Sequence, residues 1–387
     1  MSHITIRKLK AEDCDSLFEM LTKTFENKYQ RPVHFDRQQP KMWVRDSEHM
    51  RKHIGIFEDG RLVSAVGIYP LPLVIDGEEF KFFTTGNVAT LPGHEGKGYF
   101  SLLFDMAMYE LELEDADGAR LGGARQRYAR FGFEGGGLLY KFTVMAENVR
   151  ATKPNLEGLS LVRVEREDID ALRYCHGMME KKEVYVERGT EEGYRDMYLG
   201  LITKSNTPYL VLRGEERVGY LCLNAEMNVI SEYAADSAEE LYNAVCYLQK
   251  STGNKEVFIT VPPYEEEELR LFSERADSCT LLTPSRFKLL NYERITSALL
   301  RLKAKKTRLP EFDFTLGIEH YGRIRLYSRE GAVGCEKTDC EPALTVTATE
   351  AIRLLFSYTP TELIGELPAE LRAALPLPLS WATLDYV

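Results

Sequence analysis

The chain has 387 residues and a formal net charge of −11, from 60 acidic and 49 basic side chains. That balance argues against a nucleic-acid partner, because such affinity rests on basic surface meeting phosphates. It would instead concentrate a cationic substrate near a cleft. A hydrophobic content of 44% is enough for cores in two or three domains, and no run reaches the apolar length of a membrane span. Seven scattered cysteines fit reduced thiols in a cytosol better than a disulfide framework. Cys335 and Cys340, with His320 upstream, lack the second pair of a zinc cluster, so no metal is expected. The first ten residues carry no apolar stretch of a secretory signal, and the expected location is cytoplasmic.

The chain opens with a strand (Ile4, Ile6, Leu9) and then a helix from about Ala11, with Leu17, Phe18, Leu21 and Phe25 at helical spacing. Two hairpins come next, turning at Asp59-Gly60 and Asp76-Gly77, because Asp-Gly favours tight strand reversal. A β-leaning run from Lys81 to Leu91 is stopped by Pro92-Gly93. A loop through Gly96 and Gly98 follows, and then Leu102, Leu103, Met106, Ala107, Leu111 and Leu113 recur as in a helix. A strand feeding a glycine loop into a helix N-terminus is a place to hold phosphate. There, unpaired N–H groups meet the positive end of the helix dipole.

After Thr152-Lys153-Pro154-Asn155, which reads as a linker, the pattern restarts. Leu161 to Val164 is a strand, Asp168 begins a helix, and a hairpin turns at Gly214. Leu241 to Leu248 is a helix and Val257 to Val261 a strand, so this half is built like the first. Its turn before the Leu241 helix is Ala234-Ala235-Asp236-Ser237, without glycine, and close backbone approach to a diphosphate is hindered there. Glu265 to Glu268 read as a solvated helix start. A third shift falls at Lys303 to Pro310. Strands are expected over Phe312 to Ile318, Arg323 to Tyr327 and Ala343 to Thr347, a helix from Thr349, and an extended tail after Pro376 and Pro378.

Val88-Ala89-Thr90-x-Pro92, then Glu95-Gly96-Lys97-Gly98, then Tyr128-x-Arg130-Phe131-Gly132-Phe133 resembles a GNAT-type N-acetyltransferase. More narrowly, the chain resembles the three-domain Eis (enhanced intracellular survival) group of bacterial aminoglycoside-type acetyltransferases. The resemblance spans the chain, strongly over residues 60–145 and loosely beyond 150. It implies a mixed α/β (α+β) fold of tandem GNAT acyl-CoA N-acyltransferase domains followed by a sterol-carrier-protein-like α+β domain. The corresponding boundaries are a catalytic domain at 1–148, a degenerate second GNAT-like domain at 149–292, and the sterol-carrier-like domain at 293–387, a lid and oligomer-forming module. A cytoplasmic homo-oligomer, a hexamer in that group, is implied as well.

The implied reaction moves acetyl from acetyl-CoA to a primary amine of a cationic small molecule, aminoglycoside- or polyamine-like, by direct attack in a ternary complex. Val88 and Ala89 would pair with the pantetheine arm and offer an oxyanion N–H. Glu95, Gly96, Lys97, Gly98 and Tyr99 form the diphosphate loop, with Lys97 adding a countercharge. By resemblance, Tyr128 is the proton donor to the leaving thiolate. The base is the α-carboxylate of Val387, with Asp385 and Glu26 attracting the cation and Phe25 and Trp43 lining its site. The sequence departs from the group at Glu95, where Gln or Arg is usual, at Phe100, where a small residue is usual, and at Val387, which follows the aromatic Tyr386. Two alternatives remain: a protein or peptide lysine acetyltransferase, and a non-catalytic ligand-binding scaffold.

Overall fold

A computed structural model describes residues 3–35, 44–191, 193–195, 198, 206–358 and 364–382. The first 136 residues supply β1 (Ile4–Lys8), α1 (Cys14–Tyr29), α2 (Ser47–Met50), β2 (His53–Glu58), β3 (Arg61–Ile75), β4 (Glu78–Thr90), α3 (Tyr99–Leu113), β5 (Gly118–Leu121), α4 (Arg125–Tyr128) and β6 (Glu134–Gly136). Both Asp-Gly turns form where the sequence places them. Asp59 and Gly60 (φ 47° and 82°) and Asp76 and Gly77 (φ 53° and 80°) take the left-handed pairs that match strand twist. Helix α3 buries Leu103, Phe104, Ala107 and Leu111, whereas Leu102 and Leu113, which share the helical spacing, remain exposed.

The chain continues through β7 (Leu139–Met145), α5 (Ala146–Thr152), β8 (Leu159–Arg163), α6 (Ile169–Met179), β9 (Val184–Val186), β10 (Asn206–Arg213), β11 (Glu216–Asn224), β12 (Val229–Ala235), α7 (Ala238–Thr252), β13 (Glu256–Val261), α8 (Glu266–Arg275), β14 (Ser278–Leu282) and β15 (Ser285–Leu289). The last part holds α9 (Tyr292–Lys306), β16 (Phe312–Ile318), β17 (Gly322–Arg329), β18 (Ala332–Lys337), β19 (Leu344–Val346), α10 (Ala348–Phe356) and α11 (Ala369–Ala374). Strand β18 carries no expectation from the sequence. The lysine-rich stretch expected to mark a boundary is the last turn of α9, where cations suit the dipole.

Three sheets form among the described residues. The first runs β1-β2-β3-β4-β5-β15-β6 with β9 added to β3, the second β14-β7-β13-β12-β11-β10-β8, and the third β18-β17-β16-β19. The first two exchange a strand: β7 lies inside the second sheet, and β15 lies between β5 and β6 of the first. Each of the first two sheets has one parallel pair that opens. Strand β4 meets β5 only at Phe82↔Gly118, Phe83↔Ala119 and Thr84↔Arg120, so its edge beyond residue 84 is released from β5. Likewise β12 meets β13 at Val229↔Phe258 and Ile230↔Ile259 and then departs. The tail runs extended after α11, burying Trp381 against Phe82 and Phe287 (ring centroids 5.7 and 5.4 Å). No helix among the described residues is long and apolar enough to cross a membrane.

Candidate active site

The first opening is a place for a ligand because of what its rim lacks. Past Thr90, Leu91 returns to the sheet through its N–H to the Val63 carbonyl. Gly93, Gly96 and Gly98 then take φ of 85°, 78° and 81°. A Cβ would meet nothing within 4 Å at any of the three, so backbone conformation rather than crowding calls for glycine. Gly98 caps α3 without a side-chain acceptor, and no acidic residue stands in that helix's first turn. The N–H groups at this end are therefore left for a ligand, with the dipole favouring an anion.

In front of them lies a cleft of about 660 Å³. Its walls are Thr24, Phe25, Asn27 and Lys28 of α1, Val88 to Thr90 of β4, the loop with His94, Glu95, Gly96 and Gly98, and Tyr99, Phe100, Ser101 and Arg127. Phe25, Val88, Ala89 and the glycine loop, expected together from the sequence, thus converge on one space. Glu26, also on α1, stays outside this lining, its Oε1 accepting from the Val33 N–H at 3.3 Å. Trp43, Asp385 and Val387 lie outside the described residues.

Tyr128 ends α4 one ring behind the cleft wall. It is buried, its ring 5.8 Å from Phe100 and 5.2 Å from Phe104. Gly123 makes room for it, since a Cβ there would stand 2.6 Å from Tyr128 Cε2. Burial pushes the phenol above its ordinary range, and the charge and hydrogen bond of Arg127 pull it partly back. Phe100 packs edge-on against Tyr128 and Phe131 and leaves the cleft open. Arg130 braces the turn, hydrogen-bonded to Ser101 Oγ with its guanidinium 4.5 Å over the Phe131 ring.

The loop's own charges are already engaged. Glu58, at the end of β2, lies 2.7 Å from Lys97 Nζ and 2.9 Å from His94 Nδ1, and accepts the Tyr99 hydroxyl. The Lys97 and Tyr99 hydrogen bonds hold this carboxyl down to about 2. Glu95 folds back, its Oε2 accepting the Gly93 N–H at 2.6 Å. Neither Glu58 nor Arg127 is signalled by sequence: one is an acid before a hairpin turn, the other one of four arginines between positions 120 and 130.

The second opening is furnished differently. Glu232 of β12 is buried against Arg188, with Tyr220 OH donating to its Oε1 at 2.8 Å and Arg188 Nη1 donating to Tyr198 OH at 3.1 Å. Arg188 holds the carboxyl below its ordinary value against the burial that opposes ionisation. The helix that follows, α7, has Ser237 accepting the Glu240 N–H, and Glu239 and Glu240 in its first turn. Its N-terminus is satisfied by the chain itself. Glu265, expected on a solvated helix start, instead pairs with Lys182 Nζ at 2.6 Å and accepts the Tyr233 hydroxyl, and burial raises Glu268. The expectation holds for Glu266 and Glu267, which are exposed in the first turn of α8, and fails for Glu265 and Glu268, which are partly covered, Glu265 by its contacts with Tyr233 and Lys182.

Residues 5–136 match the family model described as "Acetyltransferase (GNAT) domain". No curated protein matches the chain by sequence. Among solved structures the chain is similar to a GCN5-related N-acetyltransferase from Kribbella flavida, at 16% identity and TM-score 0.65, covering 100% of this chain and 99% of that one. It is also similar to a GCN5-related N-acetyltransferase from Anabaena variabilis (13% identity, TM-score 0.67) and to Eis1 from Mycobacterium abscessus (14%, TM-score 0.66), each pair covering 98% of both chains. At these identities the likeness speaks for the fold: a tandem GNAT-like arrangement continuing through the third sheet.

Proposed function

We propose that this chain, an acyltransferase whose residues 5–136 form a GNAT acetyltransferase domain, moves acetyl from acetyl-CoA to a primary amine of a cationic small molecule. The observation that carries the reading is the pairing of two features in one cleft. The uncapped N-terminus of α3 faces it, and so does the edge of β4 that β5 has released. The first suits a diphosphate, through the amides of Gly96 to Tyr99. The second lets the pantetheine arm add to the sheet along Val88 and Ala89, whose backbone N–H groups would meet the carbonyl oxygen as it becomes an oxyanion.

In the reaction the amine nitrogen forms a bond to the thioester carbonyl carbon, the C–S bond breaks, and the thiolate takes a proton. Tyr128 is the donor in this reading. A phenol near 10 gives its proton to a thiolate whose thiol is near 8.5 at a cost of about 2 kcal/mol. The burial of Tyr128 adds to that cost, and the neighbouring Arg127 charge offsets only part of the addition. The acceptor is assigned to cationic amines because the chain is acidic overall. We assign residues 1–148 to catalysis, 149–292 to a supporting GNAT-like copy that carries the buried Arg188–Glu232 pair, and 293–387 to a sterol-carrier-like module.

The test is thiol release from acetyl-CoA across polyamines, aminoglycosides and lysine peptides. Turnover with the small polycations supports the assignment. Turnover confined to peptides would replace the acceptor class, and no thiol release with any amine would leave a binding scaffold.

A further inference from the structure

We propose that Glu58 is a positioning residue for the cofactor loop, drawing His94, Lys97 and Tyr99 onto one carboxylate so that the amides of Gly96 to Tyr99 stand ready for a diphosphate. Lys97 is then a tether and not a countercharge. The inference rests on the acyl-CoA reading of the cleft. Three side chains from one six-residue stretch turn to the same side and meet an acid contributed by a different strand. Lys97 Nζ is 2.7 Å from Glu58 Oε1, Tyr99 donates to the same oxygen, and His94 Nδ1 lies 2.9 Å from Oε2. An acid beside a tight hairpin turn ordinarily points into water, yet the Glu58 side chain is only 10% exposed.

The loop needs such a tether. With Gly93, Gly96 and Gly98 all at positive φ, it loses more conformational freedom on ordering than a loop of other residues would, at about 1–2 kcal/mol per fixed residue. An untethered loop would meet that cost when the ligand arrives, and affinity would fall accordingly. Charge-assisted hydrogen bonds to one carboxylate meet it during folding instead. Position and charge make opposite predictions here. A carboxylate beside a diphosphate repels it, so removing the charge should tighten binding if Glu58 acts only through its field. If it acts by holding the loop, removing the charge should loosen binding.

The discriminating variant is Glu58→Gln. Calorimetry with CoA should show Kd rising about tenfold, the loss of one charge-assisted hydrogen bond. Turnover of S-acetylpantetheine, which lacks the diphosphate, should keep its KM. Tyr99→Phe removes one tether and no charge, and should weaken CoA binding in the same direction. Hydrogen exchange at amides 93–99, read without any cofactor, should be about tenfold faster in Glu58→Gln by the same arithmetic. CoA binding that is equal or tighter in Glu58→Gln, or unchanged exchange, overturns the proposal. If the parent protein binds no CoA at all, the acyl-CoA reading fails, and the exchange measurement still decides whether Glu58 holds the loop.

Discussion

Replacing Asn87 tests how the bend in β4 is held. The register of β3 against β4 steps from Ala65↔Ala89 to Gly67↔Gly86, so Asn87 and Val88 together face Val66, an extra residue that re-aims the strand at the cleft. Asn87 sits at φ 53°, a left-handed conformation that asparagine tolerates better than most residues. Its Nδ2 donates to Tyr69 OH at 2.7 Å and lies 3.2 Å from His53 Nε2, and Tyr69 OH is 2.7 Å from that same nitrogen. All three side chains are buried. Asn87→Ala strands polar groups in the interior, at about 1–3 kcal/mol, and places alanine at positive φ, at about 1 kcal/mol more. Asn87→Gly loses the same hydrogen bonds and keeps the backbone at ease. The unfolding free energy from denaturant titration should therefore fall by about 2–4 kcal/mol for Ala and by about 1 kcal/mol less for Gly. Equal losses in the two variants would refute the backbone argument, and losses under about 0.5 kcal/mol in both would refute the network.

Other consequences are as direct. Tyr128→Phe keeps the ring packing against Phe104 and removes the proton, so kcat should fall by about 10²–10⁴ with the KM for acetyl-CoA nearly unchanged, in steady-state thiol release. Burial lowers His53 from 6.5 to about 4. The unfolded chain therefore takes up this proton first, and stability present above pH 6.5 is lost as pH falls from 6.5 towards 4. The loss is about 3 kcal/mol, read as the difference between the parent and His53→Gln in unfolding at pH 7 and pH 4. Arg188→Met leaves Glu232 buried beside Tyr220 without its cation and should cost about 3–5 kcal/mol, with Arg188→Met/Glu232→Gln recovering much of it in the same denaturant assay.

What could be read from the sequence was local. Asp59-Gly60 and Asp76-Gly77 specify their turns by backbone preference alone, and the strand, glycine loop and helix around Pro92 follow from period and punctuation. The absence of glycine before α7 argued against close backbone approach to a diphosphate, and the cap that Ser237 supplies there was not foreseen. What could not be read depends on partners far along the chain. That β7 and β15 trade sheets is a choice among edges that share one alternating pattern, and β9 is three residues long, too short for any period. At the site, the loop glycines announced themselves by type and spacing and Phe25, Val88 and Ala89 through the family resemblance, whereas Glu58 matters only because three loop side chains fold onto it. Lys97 was legible as a cation near a phosphate loop, but its partner was not.

The central claim is that a single cleft, between the β4 edge and the N-terminus of α3, takes one CoA thioester per chain. Titration calorimetry with acetyl-CoA measures this directly. The account predicts saturable binding at one equivalent per chain, abolished by Gly98→Val, which puts a branched side chain at φ 81°. No binding, or two equivalents per chain with the second surviving Gly98→Val, would contradict it.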